Sequence, residues 1–342
     1  MQIDMTPSTS TTDRTMPTEC SGTHICLCFD GNINKQVLLT AVSAATATQG
    51  ALTVHFVCPQ KAEQNFRSDL NALTARLHTQ SPNLFTPEIH VIADETFDAL
   101  PGICWLPKAS CLRLIISSIL PRYIQRVIYL DSDIMATADL SELYRVDMRG
   151  CPIAAVQDDG MRQYYCAPIG LDARHYFNAG VLLIDLTQWQ EPAQRALDLF
   201  TENGAIYPTL DQDVLNIVFK NKWRELDARW NTTSQRQPFA SRWFELIWPD
   251  GWKNERLPPA VYHMTPFKPW TVCNTSRYRF AYRNLARTLF DGGIKTIRGE
   301  PLSLHIIAWL PLPLYRLMRF LWDSHLMLKH CIRRIKRIRT AR

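Results

Sequence analysis

No Cys-x-x-Cys pair occurs in this chain, although it carries ten cysteines in 342 residues. Cys26 and Cys28 stand two apart and the rest are irregularly spaced, so neither a zinc framework nor a thioredoxin-like motif is supported. Disulfide scaffolds belong to much smaller secreted domains, and these cysteines read as reduced, mostly buried thiols. The stretch 1–23, rich in Thr, Ser and Pro, lacks an apolar run. It fits neither a signal peptide nor a transmembrane helix and is expected to be a disordered leader, which places the body of the protein in the cytosol. Internal repeats and low-complexity linkers are missing before the C-terminal region. Spread-out positive charge is missing too. Of the net +6, the segment Arg316 to Arg342 alone carries +8, from nine Lys or Arg against Asp323, leaving −2 for everything else. A nucleic-acid binder would distribute its basic residues over the folded surface, so no nucleic-acid partner is expected.

What is present suits one large α/β domain with appendages: 46 % hydrophobic and 20 % charged residues over 342 positions. Apolar strand-like runs at 24–29, 52–57, 88–92, 126–130, 152–156 and 180–184 alternate with helical stretches at 35–48, 62–78, 108–119, 193–203 and 212–219. A further helical segment is expected at 279–294. The alternation predicts βαβ units, hence a mostly parallel sheet covered by helices. The tryptophans clustered between Trp223 and Trp270 read first as core and second as sugar or lipid contacts. Ligands of open α/β sheets sit beyond the carboxyl ends of the strands. Two polar clusters fall there, Asp30 to Asn32 and Asp131 to Asp133.

Tyr129-Leu-Asp131-Ser-Asp133 ends an apolar strand. Residues i and i+2 of extended chain project to one side, so both carboxylates can converge on a divalent cation, which could bridge a nucleotide diphosphate. Taken alone, such a pair is as often only solvated. Four more segments accompany it in order: Phe29-Asp-Gly-Asn32, Tyr176-Phe-Asn-Ala-Gly-Val-Leu-Leu-Ile184, Leu210-Asp-Gln-Asp-Val-Leu-Asn216, and Tyr262-His-Met-Thr-Pro-Phe-Lys-Pro-Trp270. Together they resemble glycosyltransferase family 8, whose bacterial members include the lipopolysaccharide galactosyl- and glucosyltransferases, over about residues 24 to 290.

The resemblance implies a single GT-A-type, Rossmann-like nucleotide-diphospho-sugar transferase domain, here 24–295. It implies retaining transfer of a hexose from UDP-galactose or UDP-glucose to a glycolipid acceptor such as lipopolysaccharide core. The implied metal ligands are Asp131, Asp133 and His263. Two carboxylates and an imidazole suit Mn²⁺, whereas Mg²⁺ would prefer an all-oxygen set. The implied donor contacts are Asp30 and Asn32 to uracil and ribose, with Arg113, Asp131, Ser132, Asn178 and Lys268. Lys268 would meet the diphosphate as a point charge. Without the resemblance, Asp30 to Asn32 would be an ordinary turn, Arg113 a surface helix residue, His263 a packed strand-end histidine and Lys268 a solvated loop lysine.

Around the donor sugar the resemblance places Asp158, Asp211 and Gln212, with Asn178 beside them. Such a set of carboxylates and amides is what hydroxyl discrimination needs. Asp213 reads as orienting its neighbours or capping the following helix. Double displacement would need a carboxylate nucleophile. The position nearest the anomeric carbon is Gln212, and an amide is a poor nucleophile, so front-face displacement by the acceptor hydroxyl as UDP departs is expected. One segment departs from the family pattern His-x-x-Gly-x-x-Lys-Pro-Trp. His263-Met-Thr-Pro-Phe-Lys268 is one residue shorter, has no glycine, and contains Pro266, which offers no N–H.

From Leu302 to Arg342 aromatics and aliphatics mix with late basic residues, after Pro311 and Pro313. The segment is too short and too charged to span a bilayer. The tail 296–342 is expected to lie in the interface against anionic lipid, peripheral on the inner face of the plasma membrane. The alternative is a helix that packs on the body or mediates oligomerisation. Two other functions compete: a haloacid-dehalogenase-type phosphatase, which leaves the other four segments unexplained, and a nucleotide-sugar or glycolipid binding protein of the same fold without turnover.

Overall fold

Thr23–Cys28 forms β1 with every residue buried, because apolar side chains feed both faces of the sheet. The computed structural model describes residues 22–77, 84–101, 108–158, 160–161, 163–203, 207, 209, 211–233, 258–265, 268–271 and 278–295. The tail, and the leader up to residue 21, lie outside the described residues. Thr23, expected in the leader, already belongs to β1.

The elements follow as α1 (Asn34–Ala47), β2 (Leu52–Pro59), α2 (Gln60–Leu77), β3 (Thr86–Ile92) and α3 (Asp94–Ala99). Next come α4 (Ile116–Ile119), β4 (Arg126–Leu130), β5 (Ile134–Ala136), α5 (Leu140–Tyr144), β6 (Ile153–Gln157) and α6 (Gln163–Cys166). The described remainder is β7 (Phe177–Asp185), α7 (Gln190–Asn203), α8 (Asp211–Val218), β8 (Trp223–Glu225), β9 (Thr232–Thr233), β10 (Val261–His263) and α9 (Arg279–Leu289). A seven-stranded sheet runs β3-β2-β1-β4-β7-β6-β8. Its neighbours pair parallel, except that β7 is antiparallel to both β4 and β6. Ile25, Leu27 and Phe29 pack on one face with residues of α1, α2 and α9. Cys26 and Cys28 pack on the other, with Leu112, Trp189 and Leu215. Helices thus cover both faces, and two cores sandwich the sheet. The described cysteines are free thiols, all buried except Cys151.

The expected helix over 108–119 is 3₁₀ from Lys108 to Ile115 and α only over Ile116–Ile119. The tighter winding brings the Ser110 carbonyl under Arg113, whose Nε donates to it at 3.0 Å. Expected strand 180–184 is instead a nine-residue strand beginning at Phe177. Against β6 its register jumps, with Ala155 opposite Leu182 but Val156 opposite Asn178, so Ala179 to Val181 bow out of the ladder. A second, three-stranded sheet, β5-β10-β9, was not foreseen. Its strands have two or three residues each, too few to show a period.

Three imidazoles cross β1, β2 and β3 in one hydrogen-bonded line, His24 Nδ1 to His55 Nε2 and His55 Nδ1 to His90 Nε2, each at 3.0 Å. Burial keeps them neutral, lowering the pKa of His55 to about 3 and those of His24 and His90 in the same direction. Trp230 and Trp270 are core residues and Trp223 packs on Phe177. The other tryptophans of that cluster lie outside the described residues. No helix among the described residues is long and apolar enough to cross a membrane.

Candidate active site

β4 and the small sheet meet at the carboxyl edge of the large one. Asp131 follows β4 and is pinned there when its N–H donates to the Gly180 carbonyl at 2.8 Å. Asp133 precedes β5, and β10 pairs antiparallel with β5 so that His263 lies opposite Ile134. The small sheet therefore carries an imidazole from 130 residues away onto the two carboxylates. One ligand atom from each of Asp131, Asp133 and His263 can be chosen so that all lie within 4.8 Å of one another. His263 Nε2 is 3.4 Å from Asp133 Oδ1 and 3.7 Å from Asp131 Oδ2.

Three observations test whether a divalent cation fits. Asp133 is 1 % exposed, yet among the described residues its Oδ1 has no hydrogen-bond donor, a deficit that a cation would remove. The donor set, two carboxylates and an imidazole, is that of a borderline to hard divalent metal. The backbone is hollowed for it: a Cβ on Gly180 would stand 2.2 Å from His263 Cε1 and 2.9 Å from Asp131 Oδ2. The site fits a divalent cation.

The tautomer of His263 follows from a chain of bonds anchored on a backbone donor. Gly180 N–H donates to Asn178 Oδ1 at 3.0 Å, which fixes that amide, and Asn178 Nδ2 then donates to Asp158 Oδ2 at 3.0 Å. Asn231 Nδ2 donates to the same Asn178 oxygen at 2.9 Å, so Asn231 Oδ1 must be the acceptor at 3.0 Å from His263 Nδ1. The ring proton is consequently on Nδ1, and the Nε2 lone pair faces the carboxylates. Asn231, 1 % exposed, was missed by sequence reasoning. Its only signal there was an unremarkable Trp-Asn pair before two threonines.

Arg113 is a buried hub rather than a surface residue. Its Nη2 donates to Asp131 Oδ1 at 3.0 Å, its Nε lies 2.6 Å from Asp211 Oδ2, and its Nη1 donates to the Ala179 carbonyl. The guanidinium carbon stands 4.4 Å from the Tyr129 ring centroid, and Tyr129 Oη donates to Asp131 Oδ1 at 2.9 Å. Burial raises Asp211 to about 6 despite Arg113. Burial also opposes ionisation of Asp133, but the Lys268 ammonium overcomes it and holds that carboxyl far below the usual range. Lys268 Nζ donates to Asp133 Oδ2 at 2.7 Å, so the shortened segment still brings the lysine onto the site.

Gln212 Oε1 accepts from Ala179 N–H at 2.9 Å, which directs its Nε2 toward Asp158 Oδ2 at 3.2 Å and Tyr176 Oη at 3.5 Å. Asp158, Asn178 and Gln212 thus form one network beside the triad, while Asp211 sits behind it on Arg113. Asp213 accepts from Tyr165 Oη at 2.8 Å, Tyr176 Oη at 2.6 Å and Thr209 N–H at 3.0 Å, so it orients neighbours. Asn216 clamps the start of β7, accepting from Phe177 N–H at 2.8 Å and donating to the Phe177 carbonyl at 2.9 Å. Asp30 and Asn32 close a turn on themselves at the same sheet edge: Asn32 N–H and Nδ2 donate to Asp30 Oδ1 and Oδ2, each at 3.0 Å. The Ser132 carbonyl accepts from Thr40 Oγ1 at 2.9 Å, which holds the turn between the two aspartates.

Known proteins resemble this chain in sequence and in fold. The chain is 31 % identical over 156 residues to glycosyltransferase GlyA of Streptococcus pneumoniae, covering 45 % of this chain and 20 % of that protein. It is 29 % identical to the lipopolysaccharide 1,3-galactosyltransferase of Salmonella typhimurium, over 53 % of this chain and 55 % of that one. The chain therefore spans less than two thirds of the length of these curated relatives. A crystal structure of the galactosyltransferase LgtC with donor and acceptor sugar analogues superposes with a TM-score of 0.65. It has 22 % identity and covers 82 % of this chain and 98 % of that one, a likeness of fold. The sequence profile of glycosyl transferase family 8 matches residues 24–273, from β1 through the whole triad, and the chain belongs to that family.

Proposed function

We propose that this glycosyltransferase moves galactose or glucose from a UDP-sugar to a glycolipid acceptor, with retention of anomeric configuration. The observation that carries the reading is the convergence of Asp131, Asp133 and His263, within 4.8 Å and with the imidazole lone pair facing in. These residues would hold Mn²⁺, or Mg²⁺, which when bound neutralises charge on the departing diphosphate. Lys268, 42 % exposed and seated on Asp133, is placed to pair with that diphosphate. Asp30, Asn32 and Ser132 complete the nucleotide side, and Arg113 acts by holding Asp131. Asp158, Asn178, Asp211 and Gln212 shape the sugar pocket.

Retention is best explained without a covalent adduct. Both ends of the Gln212 amide are engaged, on Ala179 N–H and Asp158, so it presents no free nucleophile. The acceptor hydroxyl then attacks on the face from which UDP leaves, and its proton passes to the departing β-phosphate. Trapping a sugar covalently on Gln212 or Asp158 would overturn this step.

The glycolipid acceptor of the lipopolysaccharide-core type is supported by a named relative and by the +8 charge of Arg316 to Arg342. The basic, aromatic tail suits a peripheral place on the inner face of the membrane. A chain ending at Glu300 is then expected to leave anionic vesicles while still releasing UDP. The primary test is UDP release from a panel of UDP-sugars, with Mn²⁺ and with EDTA, for wild type and Asp131→Ala. Metal-dependent turnover of one UDP-hexose, lost in the variant, is expected. No turnover together with retained UDP binding would favour the binding-only reading.

A further inference from the structure

Behind the Lys268 loop lies a second cavity of about 240 Å³, lined by Pro269, Trp270, Tyr282, Arg283, Arg287 and Lys295, with Gly292 and Gly293 at its rim. Three of these residues are cations, and none of the lining residues among those described is acidic. The adjoining carboxylate, Asp291, is committed to Arg76 at 2.6 Å. Arg283 and Arg287 are i and i+4 on α9, a spacing at which like charges repel. The chain nevertheless brings a third cation to them: Gly292 and Gly293 take φ of 74° and 67°, turning Ile294 and Lys295 back toward the helix. The turn is tight, since a Cβ on Gly293 would meet Arg287 Cγ at 3.3 Å.

The polar groups there are under-used. Arg283 spends Nη2 on the Thr271 carbonyl at 3.1 Å, while its Nε is buried without a partner among the described residues. Among the described residues Arg287 reaches only the Asn284 amide oxygen, at 3.3 Å. Tyr282 is 1 % exposed and its hydroxyl is buried with no hydrogen-bond partner among the described residues. Converging guanidinium and ammonium donors with an unpaired hydroxyl suit a tetrahedral oxyanion. Pro269 and Trp270 offer apolar surface for the carbon skeleton that bears it.

We propose that this cavity is a phosphoryl-binding subsite, distinct from the nucleotide-sugar site, which takes a phosphate ester carried by the acceptor or by a membrane lipid. It is coupled to the site through four residues of chain. Lys268 sits on Asp133, Thr271 N–H and Oγ1 both donate to the Lys268 carbonyl at 2.9 Å, and Arg283 holds the Thr271 carbonyl. As an anchor for the acceptor, the subsite rests on the transferase reading; as a binding site, it does not.

The test uses the full chain and calorimetric titration at constant ionic strength, with sodium chloride as the blank. The probes are glucose 6-phosphate, a sugar phosphate monoester, and monomeric dihexanoylphosphatidylglycerol, a lipid diester. Saturable binding of either probe is expected, weakened about tenfold or more in the double variant Arg287→Glu with Lys295→Glu. Both positions are exposed, and an unchanged melting temperature would show that the variant is folded. Preference for the first probe assigns the phosphate to the acceptor sugar, and preference for the second to a lipid head group. Binding of neither probe, or equal binding by the variant, would overturn the subsite. UDP titrated with Mn²⁺ reports separately on the transferase site and should not change in the variant.

Discussion

Replacing Asn231 with alanine removes the group that decides which nitrogen of His263 carries the proton. In the native site Asn231 Oδ1 accepts from Nδ1 at 3.0 Å, and Asn231 Nδ2 is held by Asn178 at 2.9 Å. The variant leaves Nδ1–H unpaired at a position where the ring is 3 % exposed. An unsatisfied buried donor costs about 1–3 kcal/mol, and loss of such an outer partner weakens metal binding roughly 10–100-fold. Asn178 keeps its bond from Gly180 N–H at 3.0 Å, so the damage should concentrate on the imidazole. The assay is a Mn²⁺ titration followed by the electron paramagnetic resonance signal of free ion, with no sugar present. Asn231→Asp is the informative companion, because a carboxylate still accepts from Nδ1–H while losing only the donor to Asn178. We expect Asn231→Ala to lose affinity within that range and Asn231→Asp to recover most of it. Affinity of Asn231→Ala within about twofold of wild type would refute the argument that this amide sets the tautomer.

Gly180→Ala should abolish metal-dependent UDP binding, because its methyl group would stand 2.2 Å from His263 Cε1; isothermal titration checks this. Arg113→Met strands Asp131 and Asp211, so an unfolding free energy lower by about 3–5 kcal/mol is expected in urea. Arg113→Lys should restore only part, since a point charge cannot bond Asp131, Asp211 and the Ala179 carbonyl together. His55 has its pKa lowered to about 3 in the fold against about 6.5 when unfolded. The unfolded chain therefore binds more protons between these values, and stability is complete above the upper one and lost as pH falls. Near pH 5 the loss from His55 is about 2 kcal/mol. Urea midpoints of wild type and His55→Gln at pH 7.5 and 5 should show a shallower dependence in the variant. That difference also isolates His55 from Asp211, whose raised pKa acts in the opposite direction over pH 4 to 6.

The long elements were legible because burial on both faces leaves near-continuous apolar runs such as Ile25 to Phe29 and Val127 to Leu130. The paired aspartates were legible because strand periodicity acts over two residues. Other expectations needed correcting where tertiary contacts overrode local preference. The winding at 108–115 answers to Arg113 and its four polar partners, and the displaced stretch Ala179 to Val181 to the site it borders. By itself, then, the sequence determined the layered α/β body, the motif order and the concentration of charge in the tail, since each depends on near neighbours or on composition. Only the tertiary structure decided that His263 meets Asp131 and Asp133, that Asn231 sets its tautomer, and that Arg113 is buried between two carboxylates. Those relations join residues up to 132 positions apart through strands of two and three residues. Such strands carry no period, and they form only where β5, β9 and β10 pair with one another.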